Sequence, residues 1–416
     1  MIFCAFVTCL NQHQMDGIKV REVIVLKESE VQILRIIKKA IDPEFQGEIN
    51  PHLDWVKLFD FGKLHKINPI LCEGLLSADI DAEVKKRFSD DYLKQALVHF
   101  SQANKLISIT NAFDKNGIDY MIAKGTRLKA LYPKPEMRIM VDMDILIRVS
   151  QYDKIKKCML DLGLFEKGES DHEFIWSDNR FVNIELHKRL FPSYNPDFTK
   201  YFGTGWERAK KQNDESNSFS LSPEDEYIFV FTHFAKHYRD GGIGIRHMTD
   251  LYLFEKKNPG LDNGYITAEL TKLGLCEFYK NIKKTLLVWF EDGESCEITS
   301  HITQRIFTSG AYGTTENANQ AKALRVKNRS KTLARGRLGL VLEIAFPSLE
   351  LMKEKFTFLE KFPVLLPLAW ILRMFNGALF KQKNIKKTFS QLGSINSQAI
   401  DSYQEELKKV GLGDNF

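Results

Sequence analysis

At 416 residues the chain is about three times the ~150-residue guide for one domain, which excludes a single small module. With 44% hydrophobic, 12% aromatic and 27% charged residues it can bury a sizeable core, and collagen-like, low-complexity and wholly disordered classes drop out. Lys and Arg number 59 against 54 Asp and Glu, a net of +5, so attraction to nucleic acid or to an anionic membrane must come from local patches.

The opening MIFCAFVTCL is apolar but lacks a basic start, and NQHQ follows where secretion would need small residues, so it reads as a ragged start. Six cysteines (Cys4, Cys9, Cys72, Cys158, Cys276 and Cys296) form no Cys-x-x-Cys pair, which argues against a disulfide framework or structural zinc and fits a reducing, cytoplasmic setting. From about Val23 to Gly117, apolar residues recur at three- and four-residue spacing, as in VQILRIIKKAI and YLKQALVHFSQANKLISITNAF, the pattern of successive amphipathic helices. Texture then changes. Ile118 to Ala123, Ile139 to Ile147 and Arg180 to Leu186 are β-prone, TRLKALY and SQYDKIKKCMLDLG read as helices, and LFEKGESDHEFIWSD reads as a hairpin around Lys167 to Asp171.

After Pro223 the helical period returns through EDEYIFVFTHFAKHY, RHMTDLYLFEKK, ITAELTKLG and CEFYKNIKKTLLVWF and persists towards the end. There is no internal repeat at a fixed period. The expected division is a helical region over 1–95, an α/β core over 96–220 and a helical domain over 221–416. Lys322, Arg325, Lys327, Arg329, Lys331, Arg335 and Arg337 are unrelieved by any acid and predict a local positive surface. Phe362 to Phe380 approaches membrane-spanning length, but Pro363, Pro367, Arg373 and Asn376 interrupt it, which predicts a buried or peripheral helix, with contact at a membrane surface, and no transmembrane segment.

Asp142 and Asp144 are two apart on a predicted strand, so both side chains leave one face with α-carbons about 6.5 Å apart. At that separation and an effective dielectric near 20, their repulsion is of order 3 kcal/mol, which calls for a compensating cation. Val141, Met143, Ile145 and Ile147 are apolar and predict a packed opposite face. Glu185, in the alternating Asn183-Ile184-Glu185-Leu186-His187, is a third acid on a strand that can pair beside the first. Three carboxylates with substrate phosphates suit hard divalent cations, which prefer oxygen ligands. Upstream, Lys124-Gly125-Thr126 joins a predicted strand to a predicted helix. Gly125 would let backbone approach a phosphate, Thr126 is the expected N-cap, and Lys124 adds a point charge. Arg138 lies four residues before Asp142, placed to approach a phosphate or acidic substrate. His187 shares a strand face with Glu185 and is a candidate to orient a carboxylate or take a proton.

The order of these pieces resembles the polymerase-beta-like nucleotidyltransferase superfamily. KGTRLKALYPKPEMRIMVDMDILI is more closely similar to the "KG … P … R-x-M-x-D-x-D-L-L" segment of an uncharacterised bacterial nucleotidyltransferase family within it. IELHKRL, FTHFAKHYRDGGIGIRHMTDLYLF and AFPSLELMKEKFTFLEKFPVLLPLAWILRMF extend the likeness from about Ile118 to Leu379. The resemblance implies an α+β fold, a small mixed-sheet core flanked by N- and C-terminal helical regions. It implies Asp142, Asp144 and Glu185 as ligands of two Mg2+ ions, and Gly125 and Thr126 at the phosphates of a nucleoside triphosphate such as ATP. Thr126 stands where the wider superfamily usually has serine, and Lys124 replaces the residue commonly found before that glycine. The expected reaction moves a nucleoside monophosphate onto a sugar, peptide or small-metabolite acceptor, with His233, His237, Arg246, His247 and Asp250 as polar candidates for substrate contact. Two rivals stand beside it: a nucleotide-binding sensor or assembly protein without turnover, and a phosphohydrolase using His233 and His237, four apart on one helix face, to hold a transition metal. Nucleic acid is a further candidate partner through the Lys322 to Arg337 stretch.

Overall fold

The computed structural model describes residues 26–329, 358–380 and 397–413, together with positions 346, 349, 352 and 356. The ragged start and Lys331, Arg335 and Arg337 lie outside the described residues.

The helical lead-in forms α1 (Glu28–Ile41), α2 (Trp55–His65), α3 (Asn68–Gly74) and α4 (Ala82–Lys115). Asp54 and Asp81 begin α2 and α4 by accepting backbone N–H groups of the first turn, from Lys57 and from Glu83 and Val84. Along α1 the spacing of Ile33, Leu34, Ile36, Ile37, Ala40 and Ile41 puts them in one buried stripe, which packs on α3.

The α/β unit follows as β1 (Tyr120–Ile122), α5 (Gly125–Lys129), β2 (Met143–Ile147), α6 (Tyr152–Asp161), β3 (Phe165–Glu169), β4 (Glu173–Ser177) and β5 (Asn183–His187). The five strands make one mixed sheet in the order β1-β2-β5-β4-β3, with β2 and β5 parallel and the other pairs antiparallel. The hairpin forms where the alternation places it, although its turn lies at 170–172 and a bulge sits between Glu166 and Gly168. Strand alternation sorts the sheet. Met143, Ile145, Ile147, Ile184, Leu186, Phe174 and Trp176 face Ile109 and Phe113 of α4 and Ile155 and Met159 of α6 in one cluster. The residues between them (Asp144, Leu146, Glu185, His187 and Glu173) point from the opposite face.

That opposite face is covered by the later helices: α7 (Pro196–Phe202), a two-stranded ribbon β6 (Lys210–Lys211) and β7 (Phe219–Ser220), then α8 (Pro223–Asp240), α9 (Ile245–Lys257), α10 (Asn263–Lys272), α11 (Cys276–Phe290), α12 (Glu297–Ser309) and α13 (Thr315–Arg329). Ser222 caps α8 by accepting the Asp225 N–H, with Pro223 at the first helical position and three acids in the first turn. One large cluster joins side chains of α1 to α3, Met121 and Leu146 of the sheet, α8 to α13 and the last helix, Ser397–Lys409. The middle of the sheet is thus buried on both faces, with β2 buried at every position, while the edge strand β3 has no buried residue. The fold is α+β, a mixed sheet flanked by helices.

Three expectations need correcting. Asp142 is not within a strand: β2 begins at Met143. The carbonyls that would extend the ladder upstream are taken elsewhere, Met140 O by the Gln102 amide at 3.1 Å and Ile139 O by Arg246. Val141 is exposed and packs no opposite face. Arg325 and Lys327 are relieved in space, since Arg325 pairs with Asp240 and Lys327 with Asp401 at 2.6 Å. Pro363 and Pro367 break the late apolar stretch into a short turn, Pro363–Leu365, and a helix, Leu366–Phe380. Among the described residues no helix is long and apolar enough to cross a membrane.

Candidate functional site

A cavity of about 520 Å3 opens between the polar face of the sheet and α8 and α9. Its sheet side carries Asp142, Asp144, Glu173, Glu185 and His187, and its helical side carries His233, Lys236, His237, Arg246, His247 and Asp250.

The parallel register of β2 and β5 places Asp144 directly opposite Glu185 and Leu146 opposite His187. Asp142, just before β2, reaches the same cavity. Asp144 and Glu185 therefore meet, with Asp142 in the wall of the same cavity but outside the groups of ligand atoms that come together among the described residues. Buried carboxylates this close repel, and the protein already answers with cations. The Lys124 ammonium lies 2.9 Å from Asp144 Oδ1, and His187 Nε2 lies 2.8 Å from that same oxygen and 3.5 Å from Glu185 Oε2. Burial raises the Asp144 pKa, but Lys124 and His187 outweigh it and hold the carboxyl well below its usual range. Glu185 is likewise pushed up by burial and brought net down by His187. Lys124 offsets Asp142 only in part, and burial together with Asp144 and Glu185 pushes it up to about 7. Burial lowers His187, but its two carboxylate partners prevail and raise it, so the imidazole favours its charged form.

Two further residues join through β4. Glu173 pairs with His187 in the antiparallel register, and His172 Nε2 lies 3.1 Å from Glu173 Oε2. Burial and Glu185 raise the Glu173 pKa, while burial and His187 lower His172 to about 4. Two sets, Asp144–Glu185–His187 and His172–Glu173–His187, bring three ligand atoms each within 4.8 Å of one another. The carboxylates offer oxygen donors that suit a hard cation, and His187 Nδ1 is buried without a hydrogen bond, 3.8 Å from Glu173 Oε2.

The lysine-glycine turn differs in detail from the sequence reading. Lys124, not Thr126, occupies the N-cap of α5, without a side-chain cap, and Thr126 Oγ1 faces Met140 Sδ at 3.5 Å, outside the cavity lining. The turn is made at Lys124, whose φ of +45° is rare for a residue with a side chain. Gly125 is needed for a different approach than expected, because a Cβ there would lie 3.0 Å from the Arg138 guanidinium and 3.2 Å from Met140 Sδ.

Arg138 is committed to Asp250. Its Nε and Nη2 donate to the two carboxylate oxygens at 2.7 and 2.8 Å, both side chains are buried, and the Tyr132 hydroxyl adds a third bond at 2.8 Å. Arg246 donates to Ile139 O and lies 3.5 Å from His247 Nε2. His233 and His237 face each other with Nε2 atoms 3.3 Å apart. Burial holds both well below the usual imidazole range, His237 at about 3. Among the described residues this pair gathers no third metal ligand. Lys236, beside them, is brought down to about 8 by burial and by Lys124.

The sequence reading missed His172, Glu173 and Lys236. The signal for Glu173 was present in EFIWS, where Phe174 and Trp176 alternate inward and leave Glu173 on the face of the other acids. Lys236 carried none, since a lysine on a helix is ordinarily solvated.

A family model described as uncharacterised nucleotidyltransferase matches residues 51–290, more than half of the chain. No curated protein and no solved structure matches.

Proposed function

The chain belongs to that uncharacterised nucleotidyltransferase family, and from this premise we propose that it moves a nucleoside monophosphate from a nucleoside triphosphate to an acceptor hydroxyl, using Mg2+ held by Asp142, Asp144 and Glu185. We read the core as a polymerase-beta-like one. The observation that carries the reading is the pairing of Asp144 with Glu185 on adjacent parallel strands, with Asp142 at the same cavity.

Bound Mg2+ would supply charge neutralisation at the phosphates and acidify the attacking hydroxyl. The chain's own residues do the rest. The acceptor oxygen attacks the α-phosphorus, the bond from that phosphorus to the bridging oxygen breaks, and pyrophosphate leaves with the electron pair. Glu173 lines the cavity and stands outside the proposed ligand set, and its raised pKa suits it to take the hydroxyl proton. His187, charged and bonded to Asp144, is a positioning residue that fixes the carboxylate rather than the proton acceptor. Lys124 and Lys236 are the cations we assign to the phosphates. Arg138 holds the glycine turn through Gly125 O at 3.4 Å and is closed on Asp250, which argues for a structural role.

The test is incubation of the protein with each α-labelled nucleoside triphosphate and a cell extract, beside the Asp142→Asn/Asp144→Asn variant. Transfer of label by the native protein alone supports the reading, and equal transfer by both removes the site.

A further inference from the structure

A second cavity, of about 320 Å3, lies beside the first, and Met140 and Val141 stand in the walls of both. Val141, which is exposed, thus borders both spaces. The second cavity has the opposite polarity to the acidic cluster. Lys63, Lys66 and Arg180 line it against a single acid, Asp91. Asp91 is already engaged, by Lys63 Nζ at 3.5 Å and by the Asn68 amide at 3.1 Å. Neither Lys66 nor Arg180 forms an ion pair among the described residues. The Lys66 ammonium lies 4.9 Å over the Tyr312 ring, and Tyr312 lines the first cavity, so this charge stands at the junction of the two.

The floor is polar and fixed. Gln102, 1% exposed, donates to Met140 O at 3.1 Å and leaves its own Oε1 without a partner, and Asn68, fully buried, leaves Oδ1 without one. Both oxygens are closed off from the cavity space, so it is Lys66 and Arg180, neither of them in an ion pair among the described residues, that make the cavity complementary to a ligand with an anionic group.

Resting on the transferase reading, we propose that the acceptor is anionic and that the second cavity holds its negative group, a phosphate ester or a carboxylate, while its hydroxyl reaches the acids across Val141. Both groups are served by the same cations, and phosphatase distinguishes them.

The experiment fractionates a cell extract by anion exchange and supplies the flow-through or the salt eluate, desalted, to the full-length protein with α-labelled nucleoside triphosphate and Mg2+. The expected result is label transfer from the anionic eluate, with the KM for that fraction raised at least tenfold in Lys66→Glu/Arg180→Glu. Lys66→Gln/Arg180→Gln, a milder change at positions whose side chains reach solvent, should give an intermediate KM, and thermal melting checks that both variants fold. Phosphatase treatment that abolishes acceptor activity assigns a phosphate ester, and survival of the activity assigns a carboxylate. Acceptor activity in the flow-through, or an unchanged KM in folded charge-reversed protein, overturns the proposal and leaves the transferase reading standing. Absence of transfer from every fraction by the native protein overturns both.

Discussion

Removing a negative charge from the acidic cluster should make the metal-free protein more stable, and Asp142→Asn is the cleanest case. Asp142 is half-buried, and burial together with Asp144 and Glu185 pushes it from 3.8 to about 7. A carboxyl whose folded pKa is raised keeps its proton in the folded state while the unfolded chain loses it. Stability therefore falls as pH climbs from about 4 to about 7 and stays reduced above that. A shift of this size corresponds to roughly 4 kcal/mol at pH 8, an upper figure because nearby groups relax and share the strain. The asparagine keeps the shape and removes the ionisation. Thermal or urea unfolding in EDTA should show the variant equal to the native protein near pH 3.5 and more stable at pH 8, by about 2 to 4 kcal/mol. Added Mg2+ should reverse the order at pH 8, stabilising the native protein and leaving the variant nearly unmoved. A variant less stable than the native protein at pH 8 in EDTA, with no differential response to Mg2+, would refute the electrostatic reasoning.

Arg138→Ala leaves the Asp250 carboxylate buried without its bidentate partner and should cost about 3 to 5 kcal/mol in denaturant unfolding, with much of the loss recovered in Arg138→Ala/Asp250→Ala; a loss under 1 kcal/mol would contradict a structural pair. His65 is wholly buried, its Nε2 placed to donate to Phe307 O at 3.1 Å and its Nδ1 to accept the Ile245 N–H, and burial lowers it from 6.5 to about 4. The unfolded chain binds that proton first, so stability should decline by roughly 3 kcal/mol as pH falls from 6.5 to 4, and His65→Phe should flatten that part of the profile if it folds. His233→Ala/His237→Ala should leave Mn2+ affinity within twofold of native in equilibrium dialysis, whereas loss of binding would favour the histidine-metal phosphohydrolase.

Elements resting on local periodicity were legible in the sequence. The stripe of α1, the hairpin of β3 and β4 and the capped start of α8 at Ser222-Pro223 follow from side-chain spacing and first-turn chemistry alone. The meeting of Asp144 with Glu185 was half legible. Alternation in NIELH and MDILI puts Glu185 and Asp144 on the polar faces of their strands, but their register depends on pairing across 41 positions, which no local pattern records. The Asp142 strand position failed because two long-range donors, Gln102 and Arg246, take the carbonyls that would have prolonged β2. Arg138 looked free because its partner Asp250 lies 112 residues on. The charges of Arg325 and Lys327 are answered in the same way, by acids brought back through the helical packing.

Anomalous diffraction from crystals soaked with Mn2+ and a non-hydrolysable nucleoside triphosphate analogue reads the proposed metal site itself. Density should lie at Asp142, Asp144 and Glu185, with the phosphates beside Lys124 and the ion absent from Asp144→Asn crystals grown alike. Metal density at His233 and His237 instead, or a nucleotide bound with no ion at the three acids, would contradict the proposal.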